Sequence, residues 1–296
     1  MSNAPSPQQS RTGFVFAAFA VASSSLLAIV LREASYIAPS AAIVFLRSAF
    51  TLFFLLPYIS ASLLAGASAQ PQFLLIVRAA LIGASMYFAT ISVGHITVVD
   101  FTLLQSTEAM FTFVIGALLL GERTRPAQWF GLILGFGGTY VVLASRLEGG
   151  HAVFGLLALA SAALLACGTA LLRVGRDRWH LAQVLLWQNL TCIGLFAWPG
   201  VQALDAVPSD ALLLIGVLSG LQAFAQIAFG QAIRLAAMSL IAPMFLGRLV
   251  FGALFGLLLY REIPTLTTVL GSAVICLSVV LAMAANRAIP TGKVQL

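Results

Sequence analysis

The second half of this chain repeats the pattern of its first half, and both halves are built from apolar segments. A shift of 140 residues superimposes Glu122 on Glu262, and a glycine follows nine residues after each of them, Gly131 and Gly271. Each half contains five apolar segments, and because five is odd the second half must enter a membrane with the opposite polarity. Inverted repeats are a common construction of secondary transporters, in which they provide two alternative packings around one central site.

The composition assigns most of the chain to lipid. It is 61% hydrophobic and 8% charged, whereas soluble domains carry about 25% charged residues. The basic residues are spread between the apolar segments instead of forming a stripe, so the net charge of +6 does not indicate a nucleic-acid partner. The sequence contains no metal-ligand spacing, phosphate-binding loop or nucleophile motif, and we therefore expect no metal, no cofactor and no enzymatic activity.

Ten segments are predicted to be transmembrane helices, since about 20 apolar residues cross the hydrocarbon core. The predicted fold is an all-α integral membrane protein of ten helices arranged as two inverted five-helix repeats, residues 12–145 and 152–286. Residues 1–11 are predicted to be a disordered tail, and residues 287–296 form a second tail. The predicted spans are 12–31, 40–60, 72–93, 97–120, 126–145, 152–173, 181–200, 210–233, 237–260 and 264–285.

The basic residues also predict the orientation, because cytoplasmic loops are enriched in Lys and Arg. With the N-terminus in the cytoplasm, nine basic residues lie inside and three lie outside. We therefore predict that both termini are cytoplasmic in a bacterial inner membrane. The inside set is Arg11, Arg123, Arg125, Arg173, Arg176, Arg178, Arg234, Arg287 and Lys293, and the outside set is Arg32, Arg146 and Arg261.

Two ionisable residues lie deep in predicted spans, where charge is costly and usually faces a cavity or a partner. Glu108 in span four and Arg248 in span nine are repeat mates, separated by 140 residues. One interpretation is a central site in which Arg248 binds an anionic group and Glu108 binds a cationic group or a coupling proton. The other is an interior ion pair that joins the two halves, and the two interpretations are compatible.

Other polar side chains in the spans are candidates for substrate binding. Large amides are difficult to place against lipid, so they predict a shared cavity, although hydrogen bonds between helices use the same residue types. We expect Arg78 to extend to the inner interface and Asp100 to be solvated at the outer end of span four. The further candidates for the site are Gln105, Arg47, Gln222, Gln226, Trp187 and Asn189.

The repeated motif resembles the drug/metabolite transporter superfamily, in its EamA-type branch. The resemblance is carried by the stretch from Ser106 to Arg123 with Gly131 after it, and by its second copy from Val250 to Glu262 with Gly271. It covers residues 12–286 and implies ten helices and the export or exchange of small metabolites. Ala109 stands where this family often has a proline after the glutamate of span four.

These features together predict a secondary active transporter for a small polar or zwitterionic, amino-acid-like metabolite. We expect alternating access and export, driven by protons through Glu108 or by substrate exchange, in a monomer or homodimer. One alternative is an uptake carrier for S-adenosylmethionine or a vitamin. An alternative of another class is a non-transporting membrane sensor or an intramembrane enzyme.

Overall fold

The computed structural model describes residues 7–118, 126–147, 152–175, 178–235, 247–261, 266–274 and 277. Throughout this part of the chain the regular secondary structure is helical. The helices are α1 Pro7–Ile37, α2 Ser40–Leu64, α3 Phe73–Val93, α4 Val98–Gln105, α5 Glu108–Leu118, α6 Pro126–Leu147, α7 Ala152–Val174, α8 Leu181–Gln202, α9 Ser209–Leu235, α10 Gly247–Tyr260 and α11 at 266–274, with a short 3₁₀ turn at Leu204–Ala206.

Six segments within the described residues are long and apolar enough to cross a membrane. They are Ser40–Leu64, Phe73–Val93, Val98–Leu118, Ala152–Leu172, Leu181–Gln202 and Ser209–Ala228. The prediction of an all-helical, multi-pass membrane protein is therefore confirmed. The helices α1, α6, α10 and α11 lie where the other four spans are predicted, and the count of ten membrane crossings stays a prediction.

The bundle buries polar groups and exposes large apolar ones. Phe53, Trp198 and Leu213 are 66–76% exposed, whereas Asp100 and Ser161 are at most 1% exposed. This distribution is expected when lipid is the solvent, because lipid cannot satisfy hydrogen bonds and the apolar side chains can face it at no cost.

Three helix pairs form the most extensive packing, namely α1 with α9, α2 with α8, and α3 with α7. Glycines let two of these pairs approach closely. A Cβ atom built on Gly168 of α7 would lie 2.6 Å from Ile82 Cδ1 of α3, and one built on Gly200 of α8 would lie 2.5 Å from Phe45 Cβ of α2. Each pair joins a helix of the first predicted repeat to a helix of the second.

The fourth predicted span is interrupted at Ser106 and Thr107, which separate α4 from α5. The predicted span 97–120 thus corresponds to one membrane-crossing segment, Val98–Leu118, which consists of these two helices. Two side-chain hydroxyls satisfy backbone carbonyls at the interruption: Ser106 Oγ donates to Thr102 O at 2.7 Å, and Thr107 Oγ1 donates to Leu104 O at 2.6 Å. Such local hydroxyl bonds let a helix be interrupted at membrane depth.

Candidate functional site

The first buried polar group joins α2, α3, α8 and α9, and we call it the arginine cluster: Arg47, Arg78, Gln188, Cys192 and Gln222. Arg47 Nη2 donates to Gln222 Oε1 at 2.9 Å, and Arg78 Nη1 donates to Gln188 Oε1 at 3.0 Å. The Cys192 thiol lies close enough to both guanidinium groups to interact with them electrostatically. The two arginines are 5% and 7% exposed, so both charges lie inside the bundle.

Arg78 contradicts the expectation that it extends to the inner interface. Its guanidinium instead donates a hydrogen bond to Gln188 in the interior of the bundle. Arg78 is the sixth residue of α3, so its side chain can extend either to the interface or into the bundle. The acceptor that holds it inside lies on another helix, and the sequence of α3 alone does not reveal that acceptor. Arg47, a predicted site residue, also lies in the interior.

The second buried polar group joins α3, α4 and α7, and we call it the serine cluster: Ser85, Gln105 and Ser161. Ser85 Oγ donates to Ser161 O at 2.8 Å, and Ser161 Oγ donates to Ser85 O at 2.9 Å. Gln105 Nε2 reaches Ser161 Oγ at 3.3 Å, while its buried Oε1 has no partner in the described part of the chain. Each helix thus satisfies a carbonyl of the other, which fixes the α3–α7 contact.

Glu108 begins α5, directly after the interruption of span four. Thr169 Oγ1 of α7 donates to its Oε1 at 3.2 Å. Glu108 and Gln105 therefore both contact α7, one on each side of the interruption.

Asp100 contradicts the expectation that it is solvated. It is 1% exposed, and Thr268 Oγ1 of α11 donates to its Oδ1 at 2.9 Å. Thr97 caps α4 by accepting from Asp100 N at 3.2 Å, and its hydroxyl donates back to Oδ2. The sequence position near a span end suggested water, but α11 covers this end of α4.

Trp187 and Asn189 do not join either cluster. Trp187 Nε1 donates to Ala69 O in the loop between α2 and α3, and Asn189 Nδ2 donates to Leu185 O of its own helix. Two neighbours of Trp187 bond the same loop: Gln183 Nε2 donates to Gln70 O, and Trp179 Nε1 donates to Gln72 Oε1, both at 2.6 Å. The start of α8 thus ties down the loop between α2 and α3.

Gln226 and Arg248 are the two remaining predicted site residues. Gln226 lies one turn after Gln222 on α9, and its buried Oε1 has no partner among the described residues. Arg248 is the second residue of α10, but its side chain lies outside the described part of the structure. The neighbouring turn is closely packed, because a Cβ on Gly252 would lie 2.6 Å from Thr102 Oγ1 of α4.

Five residues of the two clusters were not predicted to belong to the site: Arg78, Gln188, Cys192, Ser85 and Ser161. A usable signal existed for the first two. A shift of 142 residues carries Arg47 to Asn189, next to Gln188, and carries Arg78 to Gly220, close to Gln222. The serines gave no signal, because single hydroxyls are common in membrane helices and only packing identifies their partners.

The described residues contain no group of three or more His, Cys, Asp and Glu side chains that could hold a metal ion. The polar groups present are amides, hydroxyls, guanidinium groups, carboxylates and a thiol. In a membrane bundle, such a set can replace the hydration shell of a polar solute, since it offers both donors and acceptors.

Comparison with known families bears on what this bundle is. Residues 11–144 match the model of the EamA-like transporter family. This part of the chain is therefore similar to EamA-like transporters. The resemblance predicted from the repeated Gly-Glu motif is thereby confirmed. The match covers the first predicted repeat almost completely, from residue 11, in the first turns of α1, to residue 144, in the last turn of α6.

Two curated relatives resemble nearly the whole chain. They are the pseudopaline exporters CntI of Pseudomonas aeruginosa strains UCBPP-PA14 and PAO1. Each is 27% identical over 272 residues, which cover 90% of this chain and 93% of the relative. A protein of known crystal structure is 18% identical, with a TM-score of 0.64 over 94% of this chain and 99% of its own, which supports the fold alone. The family match and the two exporters together support a membrane transporter with a small-molecule substrate.

Proposed function

We propose that this EamA-like protein is a secondary active transporter that moves a small polar or zwitterionic metabolite by alternating access. The observation that carries the proposal is the pair of buried Arg–Gln hydrogen bonds between the two predicted repeats. One joins α2 to α9 and the other joins α3 to α8. Polar side chains shared between two halves at membrane depth are typical of transport sites.

The helix packing supports two inverted five-helix repeats. The predicted repeat relates α1 to α7, α2 to α8 and α3 to α9. This relation turns the α1–α9 contact into the α7–α3 contact, and it turns the α2–α8 contact into itself. It also turns the helix pair α2–α9, joined by Arg47 and Gln222, into the pair α8–α3, joined by Gln188 and Arg78. Two halves that pack by the same rule can exchange their arrangements, and this exchange would open the site to each side in turn.

Coupling is assigned to Glu108. It lies at an interrupted helix within a membrane segment, and it bonds to Thr169 of the other repeat. A movement between the repeats would change this contact, so proton binding and release at Glu108 can follow the transport cycle. We propose export across the bacterial inner membrane, driven by protons or by exchange, with both termini in the cytoplasm.

Two alternatives predict different behaviour. An uptake carrier, for example for S-adenosylmethionine or a vitamin, has the same architecture and the opposite working direction. A non-transporting sensor or an intramembrane enzyme would bind or convert a metabolite without moving it. The curated relatives are exporters, and this supports export over both alternatives.

The proposal is tested with the purified full-length protein. Metabolites that raise its thermal stability are identified first, since a ligand that binds only the folded state stabilises it. Each hit is then radiolabelled and loaded into proteoliposomes, and its release is compared with release from loaded liposomes that lack the protein. The release is also measured with the unlabelled compound outside, which tests for counterflow. We expect flux that depends on the protein and accelerates in counterflow. A hit that binds tightly but never crosses would contradict transport and favour the sensor.

A further inference from the structure

The arginine cluster has a charge imbalance that its own helices cannot correct. The sequences of α2, α3, α8 and α9 contain one carboxylate, Asp210, and it is exposed at the start of α9. Asp210 precedes Gln222 by twelve residues, or about 18 Å along the helix. Arg47 and Arg78 thus bring two positive charges into the interior, and their hydrogen-bond acceptors in the described structure are neutral amides.

The hydrogen bonding of the two guanidinium groups is also incomplete. A guanidinium has five N–H donors in a planar fork. The Nε–H of Arg47 and the Nε–H of Arg78 are both buried, and neither has an acceptor among the described residues. A buried, charged donor without a partner is costly, and an amide oxygen does not neutralise the charge. Both groups are therefore prepared for an acceptor that carries negative charge.

The two arginines approach the same region from opposite ends of the bundle. Arg47 is the eighth residue of α2 and Arg78 is the sixth residue of α3, and a short loop makes these helices antiparallel. Cys192, the twelfth residue of α8, lies near the backbone of both: its Sγ is 3.9 Å from the backbone oxygen of Ala79, the residue after Arg78, and it is close to Ser48, the residue after Arg47. Two separated anionic groups on one molecule would match this arrangement, one for each guanidinium.

We propose that the arginine cluster is a binding site for a small dianion, such as a dicarboxylate or an amino acid with additional carboxylates. The inference rests on the proposed transport function and names the substrate class of that function. A carboxylate can accept two parallel N–H bonds from one guanidinium, which would satisfy the orphaned Nε–H and neutralise the charge together. The same charge pattern disfavours S-adenosylmethionine, because its sulfonium and ammonium groups outweigh its one carboxylate.

The competing explanation is that the two Arg–Gln pairs only hold helices together. The melting temperatures of variants without ligand distinguish this explanation from a binding site. If the charges are uncompensated, Arg47→Gln and Arg78→Gln should leave the melting temperature unchanged or raise it, because each removes a buried charge. If the pairs are ties, both variants should melt several degrees lower. Arg178→Gln, at an exposed arginine, is the matched control for the loss of one positive charge.

The binding test uses glutarate, pentanoate and 1,5-diaminopentane, which have the same five-carbon chain and carry two, one and no negative charges. Each is added at about 10 mM and constant ionic strength to the full-length protein in neutral detergent, which detects a Kd of about 1 mM. We expect glutarate to raise the melting temperature most and diaminopentane to leave it unchanged. The glutarate shift should disappear in Arg47→Gln and in Arg78→Gln and persist in Arg178→Gln.

Several outcomes would overturn the proposal. They are the absence of any glutarate shift, a shift that survives both substitutions, and a shift produced only by added phosphatidylglycerol, which would indicate a lipid headgroup site. The flux assay separates a failure of the dianion site from a failure of the proposed transport function. Transport of neutral or cationic compounds without dicarboxylate binding would reject the dianion site alone. Arginine-dependent binding without flux would reject transport and leave the site intact.

Discussion

At the scale of single residues, the position of charge relative to lipid governs the chemistry. Glu108 lies at the start of α5, and the hydroxyl of Thr169 donates to it from α7, in the other predicted repeat. The Glu108→Gln substitution keeps the shape and the ability to accept this bond but removes titration. We expect the variant to bind substrate and to exchange it, while its flux with a pH gradient falls to the rate measured without one. Flux in proteoliposomes with and without the gradient measures this.

Thr169→Val is a useful companion variant, because it removes the donor and keeps the carboxylate. It should retain gradient dependence, with a changed pH profile for flux. If Glu108→Gln responds to the gradient as the native protein does, Glu108 is not the coupling residue, and a structural ion pair becomes the better account.

Arg248 is a separate prediction, made from its depth in span nine and its repeat relation to Glu108. Arg248→Ala should abolish flux while the protein stays folded, and Arg248→Lys should restore only part of it, because lysine lacks the planar fork that binds a carboxylate. Flux and the melting temperature are measured on the same preparations. Normal transport by Arg248→Ala would exclude this arginine from the site, and loss of folding would favour the ion-pair interpretation.

At the scale of helices, close packing depends on particular glycines. A Cβ on Gly138 of α6 would lie 2.9 Å from the backbone oxygen of Gly271 in α11, whereas nothing lies within 4 Å of one on Gly137. Gly138→Ala should therefore lower the free energy of unfolding by about 1–3 kcal/mol, the usual cost of overpacking. Gly137→Ala should leave stability unchanged or slightly raised, since alanine is the better helix former.

The two adjacent positions make the comparison sharp. Both positions lie in α6 at nearly the same depth, and both variants introduce the same methyl group. Any difference between their melting temperatures therefore reports the contact between α6 and α11. Equal melting temperatures for the two variants would mean that these helices can separate without cost.

At the scale of the whole molecule, the helix ends indicate which segments share a side of the membrane. The hydroxyl of Tyr260, at the end of α10, donates to Glu33 Oε1 near the end of α1, and Arg32 lies 4.4 Å from the centre of its ring. The start of α8 meets the loop between α2 and α3. Both contacts agree with alternating helix directions, under which the first group faces outward and the second faces the cytoplasm.

The distribution of basic residues predicts the absolute orientation, since nine of them would lie on the cytoplasmic side and three on the outer side. We expect both termini to be cytoplasmic. A fluorescent protein fused after Leu296 should therefore be bright, and alkaline phosphatase fused at the same place should be inactive, because it folds only in the periplasm. Active phosphatase at this position would reverse the assigned topology.

Sequence alone determined that lipid surrounds this protein, that its regular secondary structure is helical and which family it resembles. Those properties follow from local composition, from a segment length set by the thickness of the bilayer, and from a motif repeated along the chain. The polar character of Arg47, Gln105, Glu108 and Gln222 was also readable, because an ionisable or amide group in an apolar run stands out without any knowledge of its neighbours.

The tertiary structure decided the partners. Arg78 faces inward because Gln188 lies on an adjacent helix, Asp100 is buried because Thr268 covers it, and Trp187 bonds a loop more than a hundred residues away. None of these contacts has a local signal, since a side chain in a membrane helix can turn to several neighbours at similar cost. Only the packing of α3 against α8, and of α11 against α4, selects one of them.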